Sequence, residues 1–107
     1  MRIPPLQPAL MVLAALLLFA PPAPAGEKIT VLLDWFVNPD HAPLIVASAK
    51  GYFTEAGLDV ELIAPADPNA PPKLVAAGKA EIAITYQPQL YLQIAGGLPL
   101  VRIGTLV

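Results

Sequence analysis

The sequence predicts an α/β fold in which a parallel-type sheet carries helices on both of its faces. Short apolar runs alternate with segments that have helix caps and stop signals, giving the order βαβαβαβ. Parallel strands need crossover connections that usually contain a helix, so this alternation favours a parallel sheet with right-handed crossovers. The prolines fall in loops and first helical turns, where a missing N–H costs little.

Four segments have the composition of strands. Residues 28–33 and 80–84 are short and apolar, which is typical of strands that are covered on both faces. Residues 58–63 alternate apolar and acidic side chains, which indicates one polar face. Residues 100–106 form the fourth predicted strand.

Helices are predicted between the strands. Asp40 is the expected cap of a helix over residues 41–50, and Thr85 is the expected cap of another over residues 86–95. A shorter helix is predicted over residues 71–77. A glycine follows each of the three helices, as is common where a helix ends.

Residues 1–25 have the pattern of a signal peptide. Arg2 supplies the positive start, and residues 9–20 form an uncharged apolar run of twelve residues, too short to cross a bilayer. Ala23-Pro24-Ala25 then provides an A-x-A cleavage site before Gly26. We therefore expect residues 26–107 to be exported to the periplasm without membrane insertion after cleavage.

Composition excludes several classes of function. The chain contains no cysteine, so it has no disulfide framework, Cys-based metal site or lipoprotein-type anchor. Its formal net charge is −2, and the absence of a basic cluster argues against nucleic acid as a partner. His41 is the only histidine, and without other His or Cys ligands it is not expected to bind a metal.

Chemistry-bearing side chains follow the first and third predicted strands. In open parallel sheets the ligand lies outside the carboxyl ends of the strands, and a 2-1-3 strand order would make these two ends neighbours. Trp35 would offer a planar ligand an apolar face, ringed by hydrogen-bonding groups. The alternative is a tryptophan folded back onto the core beside ordinary capping residues. The candidate ligand-binding residues are Asp34, Trp35, Asn38, His41, Tyr86 and Gln87.

No catalytic residue is assigned from these patterns. Asp34 and Asp40 could form an acid/base pair, but ligand hydrogen bonding or helix capping explains both more simply. Gly96-Gly97 follows a helix instead of opening one, so it does not predict a phosphate-binding loop.

Several segments together carry a resemblance to a known family. They are residues 28–35, 38–41, 49–53, 55–60, 67–68 and 74–81. The chain resembles the substrate-binding proteins related to thiamine pyrimidine synthase, in particular the periplasmic formylaminopyrimidine-binding proteins of ABC transporters. The run from Lys50 to Val60 alone is shared with type II periplasmic binding proteins for sulfonate or nitrate, which remain an alternative. The Trp35 loop and Tyr86-Gln87-Pro88-Gln89 favour the pyrimidine branch.

The resemblance implies that residues 26–107 are the N-terminal part of lobe 1 of a two-lobed type II periplasmic binding protein. Two such lobes need on the order of 200–300 residues. The resemblance also implies a pyrimidine held between the lobes and stacked on Trp35, with Asn38 and His41 in the loop that closes over it. An ABC permease and ATPase are the implied partners.

The eukaryotic members of the family provide an enzymatic alternative. They resemble this chain but make the pyrimidine phosphate from pyridoxal phosphate and one of their own histidines, with iron. The resemblance implies a Schiff-base lysine just after the third strand and the consumed histidine one helical turn later. Thr85 and Gln89 occupy those positions here, and neither can play those roles. The expectation is therefore a binding protein without a cofactor.

Overall fold

The structure is a computed structural model, and it describes residues 26–106. The predicted signal peptide lies outside these residues. The elements are β1 (Glu27–Leu32), a 3-10 helix (Pro39–His41), α1 (Ala42–Ala49), α2 (Tyr52–Glu55), β2 (Leu58–Ile63), α3 (Pro71–Ala76), β3 (Ile82–Ala83) and α4 (Gln87–Ala95). Within residues 26–106 no helix combines the length and apolar character needed to cross a membrane.

The three strands form one parallel sheet in the order β2-β1-β3. β1 pairs with β2 along its whole length, from Glu27 opposite Leu58 to Leu32 opposite Ile63. β3 is short and pairs only with the carboxyl end of β1. The predicted α/β class is therefore confirmed, and the sheet has the 2-1-3 order in which the ends of the first and third strands are neighbours.

The core lies at the carboxyl end of β1. Val31, Leu32 and Leu33 are buried there, and Leu33 is completely inaccessible to solvent. Burying an aliphatic side chain of this size stabilises a fold by about 1.5–3 kcal/mol. At the other end of the strand Lys28 pairs with Glu61 at 3.5 Å, but both side chains are exposed and such pairs contribute little. The loop after β1 therefore leaves from the most firmly packed part of the sheet.

Gly57 connects α2 to β2. Its backbone has a φ of 76°, a left-handed conformation that glycine adopts without a steric penalty. Its N–H bonds the carbonyl of Thr54 at 3.0 Å, and its own carbonyl accepts the N–H of Glu27 at 2.9 Å. The turn that ends α2 thus also begins the pairing of β1 with β2.

The cap of the first helical segment is Asn38, so the prediction of Asp40 was wrong. The side-chain oxygen of Asn38 accepts the N–H of Asp40 at 2.9 Å. The physical reason is Pro39, which restricts the residue before it to extended backbone. A cap residue needs that conformation, and Asn38 has it with a φ of −147°.

Thr85 does not cap α4, contrary to prediction. The cap position belongs to Tyr86, whose backbone is extended and whose side chain makes no capping bond. Thr85 lies one residue earlier, and its hydroxyl donates instead to the side chain of Gln89 at 2.9 Å.

The predicted fourth strand is also wrong for the residues that the structure describes. Residues 100–106 adopt no regular secondary structure, and Val101 and Ile103 are exposed by 85% and 77%. A strand requires a neighbouring backbone for its hydrogen-bond ladder. The N–H of Leu100 bonds the nearby carbonyl of Leu98 at 2.9 Å instead.

Candidate functional site

The carboxyl ends of β1 and β3 lie side by side. The N–H of Leu33 donates to the carbonyl of Ile63 at 2.8 Å, and the N–H of Ile84 donates to the carbonyl of Leu32 at 2.8 Å. The backbone pairing therefore continues to the last residue before Asp34 and before Thr85. Because both loops leave the same edge of the sheet, their side chains can act on one ligand.

Asp34 and His41 form the closest polar contact at this edge. Nε2 of His41 lies 2.7 Å from Oδ1 of Asp34. The His41 side chain is 1% exposed, whereas the Asp34 side chain is 12% exposed. The imidazole is thus enclosed, whereas the carboxylate that it contacts keeps some accessible surface.

The second ring nitrogen of His41 is held by Asn38. Nδ1 accepts the backbone N–H of Asn38 at 3.3 Å, while the N–H of His41 donates to the carbonyl of Asn38 at 3.1 Å. A nitrogen that accepts an N–H carries no proton, so the ring proton lies on Nε2 and is donated to Asp34. The side-chain amide of Asn38 also donates to the carbonyl of Phe36 at 3.0 Å, which tightens the loop.

Tyr86 approaches the same carboxylate from the other loop. Burial raises the pKa of Asp34, but the hydrogen bond with His41 and the nearby Tyr86 hydroxyl outweigh burial and hold that pKa below its ordinary value. The same interaction with Asp34 raises the pKa of the Tyr86 phenol. The two loops therefore meet at one carboxylate that is kept ionised.

Trp35 follows Asp34 directly in the chain and is half-exposed. Its ring is 50% accessible and meets Phe36 edge-on, with ring centroids 5.5 Å apart and an angle of 83°. Phe36 and Val37 are also exposed, by 68% and 62%. The tryptophan is therefore not folded back onto the core, and about half of its surface is accessible to solvent.

The β3–α4 loop carries a second polar cluster that the sequence interpretation did not identify. Oγ1 of Thr85 donates to Oε1 of Gln89, whose Nε2 donates to Oδ1 of Asn69 at 3.3 Å. Asn69 is fixed in turn, because its backbone N–H bonds the carboxylate of Asp67 at 2.9 Å. The cluster joins the loop after β2 to the first turn of α4. An Asp-Pro-Asn turn was the available signal.

Four of the six candidate residues come together in the structure: Asp34, Asn38, His41 and Tyr86. Trp35 adjoins them, and Gln87 is exposed at the start of α4. Within the described residues no group of three or more His, Cys, Asp or Glu side chains is arranged to hold a metal ion. The four lysines are exposed and lie elsewhere on the fold: Lys28, Lys50, Lys73 and Lys79.

A shallow pocket of about 250 Å³ lies near the opposite edge of the sheet, next to Gly26 and Gly57. Thr54 and Asp59 supply its polar side chains. Because no comparable convergence of polar groups and an exposed aromatic ring occurs around it, the candidate site is placed at the carboxyl edge.

Comparison with known proteins identifies the family. Residues 38–107 match the model of the family described as NMT1/THI5 like. The chain belongs to this family. The match includes Asn38, His41, Tyr86 and Gln87, so most of the candidate site lies within the part of the chain that defines membership.

Named relatives of this NMT1/THI5-like chain include one binding protein and several synthases. A Haemophilus influenzae protein named for thiamine biosynthesis is 60% identical over 86 residues, which are 80% of this chain and 27% of that protein. A "Formylaminopyrimidine-binding protein" of Halalkalibacterium halodurans is 41% identical, over 78% of this chain and 25% of the relative. A "4-amino-5-hydroxymethyl-2-methylpyrimidine phosphate synthase" of Uromyces fabae is 37% identical, over 76% of this chain and 24% of the relative. The chain thus spans about a quarter of the length of these relatives.

Proposed function

We propose that this chain is part of the substrate-binding component of an ABC transporter, and that it binds a thiamine pyrimidine precursor of the formylaminopyrimidine or hydroxymethylpyrimidine type. The observation that carries the proposal is the Asp34 carboxylate, which His41 contacts at 2.7 Å and whose pKa is lowered, followed directly in the chain by the half-exposed Trp35. An aminopyrimidine is a flat ring with hydrogen-bonding groups on its edge. It therefore matches an aromatic face next to a carboxylate.

The residues at the start of α4 support binding over synthesis. Thr85 and Gln89 stand where the resemblance implies a Schiff-base lysine and a consumed histidine. Their side chains bond one another, and neither supplies an amine or an imidazole. The four lysines within residues 26–106 are exposed. These side chains do not fit pyridoxal phosphate bound as a Schiff base, and no catalytic role is proposed for this chain.

The relatives support the ligand class. The names of the three relatives described above refer to thiamine biosynthesis or to a pyrimidine, and one of these three is named as a binding protein. In this proposal residues 26–107 form the N-terminal part of lobe 1, and a second lobe closes over the ligand. The protein is exported to the periplasm after cleavage of residues 1–25 and delivers its ligand to a permease and an ATPase.

Calorimetric titration of the complete natural protein tests this proposal. The ligands are an aminopyrimidine precursor, an alkanesulfonate and nitrate. We expect saturable binding of the aminopyrimidine only, and recovery of that ligand unchanged after long incubation. Preference for the sulfonate or nitrate would assign the protein to another binding-protein branch. Pyrimidine formed from pyridoxal phosphate and iron would assign it to the synthases.

A further inference from the structure

His41 lies at the candidate site but cannot meet a ligand directly. Its side chain is 1% exposed, and both of its ring nitrogens already have partners within the loop. The side chain of Asp34, its partner at 2.7 Å, is more accessible, at 12%. Any effect of His41 on a ligand must therefore pass through Asp34.

We infer that His41 is a positioning residue that orients Asp34 to accept a hydrogen bond from the exocyclic amine of the ligand, so that the pair selects aminopyrimidines over oxopyrimidines. This inference rests on the proposed function. It assigns the discrimination between the two ligand types to a contact that is already built before any ligand arrives.

The stoichiometry of donors and acceptors supports this role. A carboxylate has about four acceptor positions, and the imidazole N–H of His41 uses one of those on Oδ1. An exocyclic amine offers N–H donors to the acceptor positions that remain. The oxo counterpart presents an oxygen, which only accepts, so its lone pairs would face those of the carboxylate.

The loop fixes the imidazole in the orientation that this role needs. The backbone N–H of Asn38 donates to Nδ1, and Asn38 is itself held because its side chain caps the 3-10 helix. Rotating the ring by half a turn about its Cβ–Cγ bond would put Cδ2 in place of Nδ1 and Cε1 in place of Nε2, so both hydrogen bonds of the imidazole would be lost. The proton on Nε2 is therefore directed at Asp34 by the backbone, as in sites where an outer residue orients a binding group.

Affinities for an aminopyrimidine and for its oxo counterpart, measured on the complete natural protein, test the inference. His41→Leu removes the donor and should weaken aminopyrimidine binding by about tenfold or more while changing oxopyrimidine binding little. His41→Gln restores an N–H at about the same reach and should recover most of the preference. The amide introduced by Asp34→Asn can donate a hydrogen bond to the oxo group, so this variant should lose or reverse the preference for the aminopyrimidine. Asp40→Asn, on the same loop and exposed, is the matched control and should retain it.

Each contrary result has a defined meaning. Equal loss of both affinities in His41→Leu would give His41 a structural role only and overturn the inference. If His41→Leu does not fold, unchanged preference in Asp34→Asn overturns it instead. If the unaltered protein binds both pyrimidines equally well and this binding depends on Trp35, the inference is overturned but the proposed function is retained. Failure of the unaltered protein to bind either pyrimidine overturns both.

Discussion

The hydroxyl of Thr85 donates a hydrogen bond across 2.9 Å to the side-chain oxygen of Gln89, one turn along α4. This bond directs the amide nitrogen of Gln89 toward Asn69 at 3.3 Å, so the three side chains form one chain of hydrogen bonds. Neither the Thr85 nor the Gln89 side chain is an amine or an imidazole. The first turn of α4 is thus built around neutral polar groups.

This arrangement predicts the outcome of borohydride trapping with pyridoxal phosphate. We expect no specific adduct on the lysines of residues 26–106, because they are exposed and lie away from the carboxyl edge. Peptide mapping by mass spectrometry measures the adduct. Thr85→Lys is the positive control, since it puts an amine at the position in question. One lysine trapped in the unaltered segment, with pyrimidine product, would favour the synthase.

Protonation of Asp34 should weaken the fold in acid. Its folded-state pKa lies below the ordinary value of 3.8, so the unfolded state binds more protons in this range. The contribution is fully present above about pH 4–5 and is lost as the pH falls through the folded-state pKa. Urea unfolding of the complete protein and of Asp34→Asn measures it. The stability difference between them should shrink from pH 6 to pH 3; a constant difference contradicts this account.

The two candidate caps of the loop can be separated by mutation. Asn38→Ala should lower the free energy of unfolding by about 1 kcal/mol, because the N–H of Asp40 loses its acceptor. Asp40→Ala is the matched control; it removes only an acidic side chain near the helix start, worth about 0.3–1 kcal/mol or less. Equilibrium denaturation compares the two variants. A larger loss in Asp40→Ala would show that the cap had been assigned to the wrong residue.

Export predicts a defined N-terminus. If residues 1–25 are a signal peptide, protein recovered from the periplasm should begin at Gly26. Intact-mass measurement and N-terminal sequencing both report it. Ala25→Asp is expected to block cleavage, since a small residue is needed before the cut. Recovery of the unaltered protein in the cytosol with Met1 still attached would contradict the transport proposal.

Much of the fold could be predicted from the sequence because local signals agree with packing. The apolar run of β1 and the alternation of β2 both follow burial, and Gly57 adopts the left-handed backbone expected of a turn closure. The 2-1-3 strand order places the loop that carries Asp34 beside the loop that carries Tyr86. Residues 100–106 have the apolar composition of a strand, but they form none in the structure, because a strand requires a neighbouring strand to pair with its backbone.

The site was harder to predict because its contacts depend on single backbone turns. Asp40 and Asn38 are both good capping residues, and only the restriction imposed by Pro39 selects the second. His41 was expected in the loop, but its burial and its contact with Asp34 follow from the 3-10 turn that carries it. The bond between Gln89 and Asn69 joins residues 20 positions apart, a separation at which sequence gives no local signal.

Replacement of Trp35 tests the central claim most directly. The complete natural protein and its Trp35→Ala variant are titrated calorimetrically with an aminopyrimidine, and circular dichroism follows the fold. Loss of one stacking ring should cost about 1–3 kcal/mol, or at least about fivefold in Kd, with the fold intact because the ring is half-exposed. Tyr52→Ala is the matched control: this tyrosine is 53% exposed on α2, and its loss should leave Kd unchanged. Unaltered affinity in Trp35→Ala, or collapse of its fold, would contradict a ligand-binding role for Trp35.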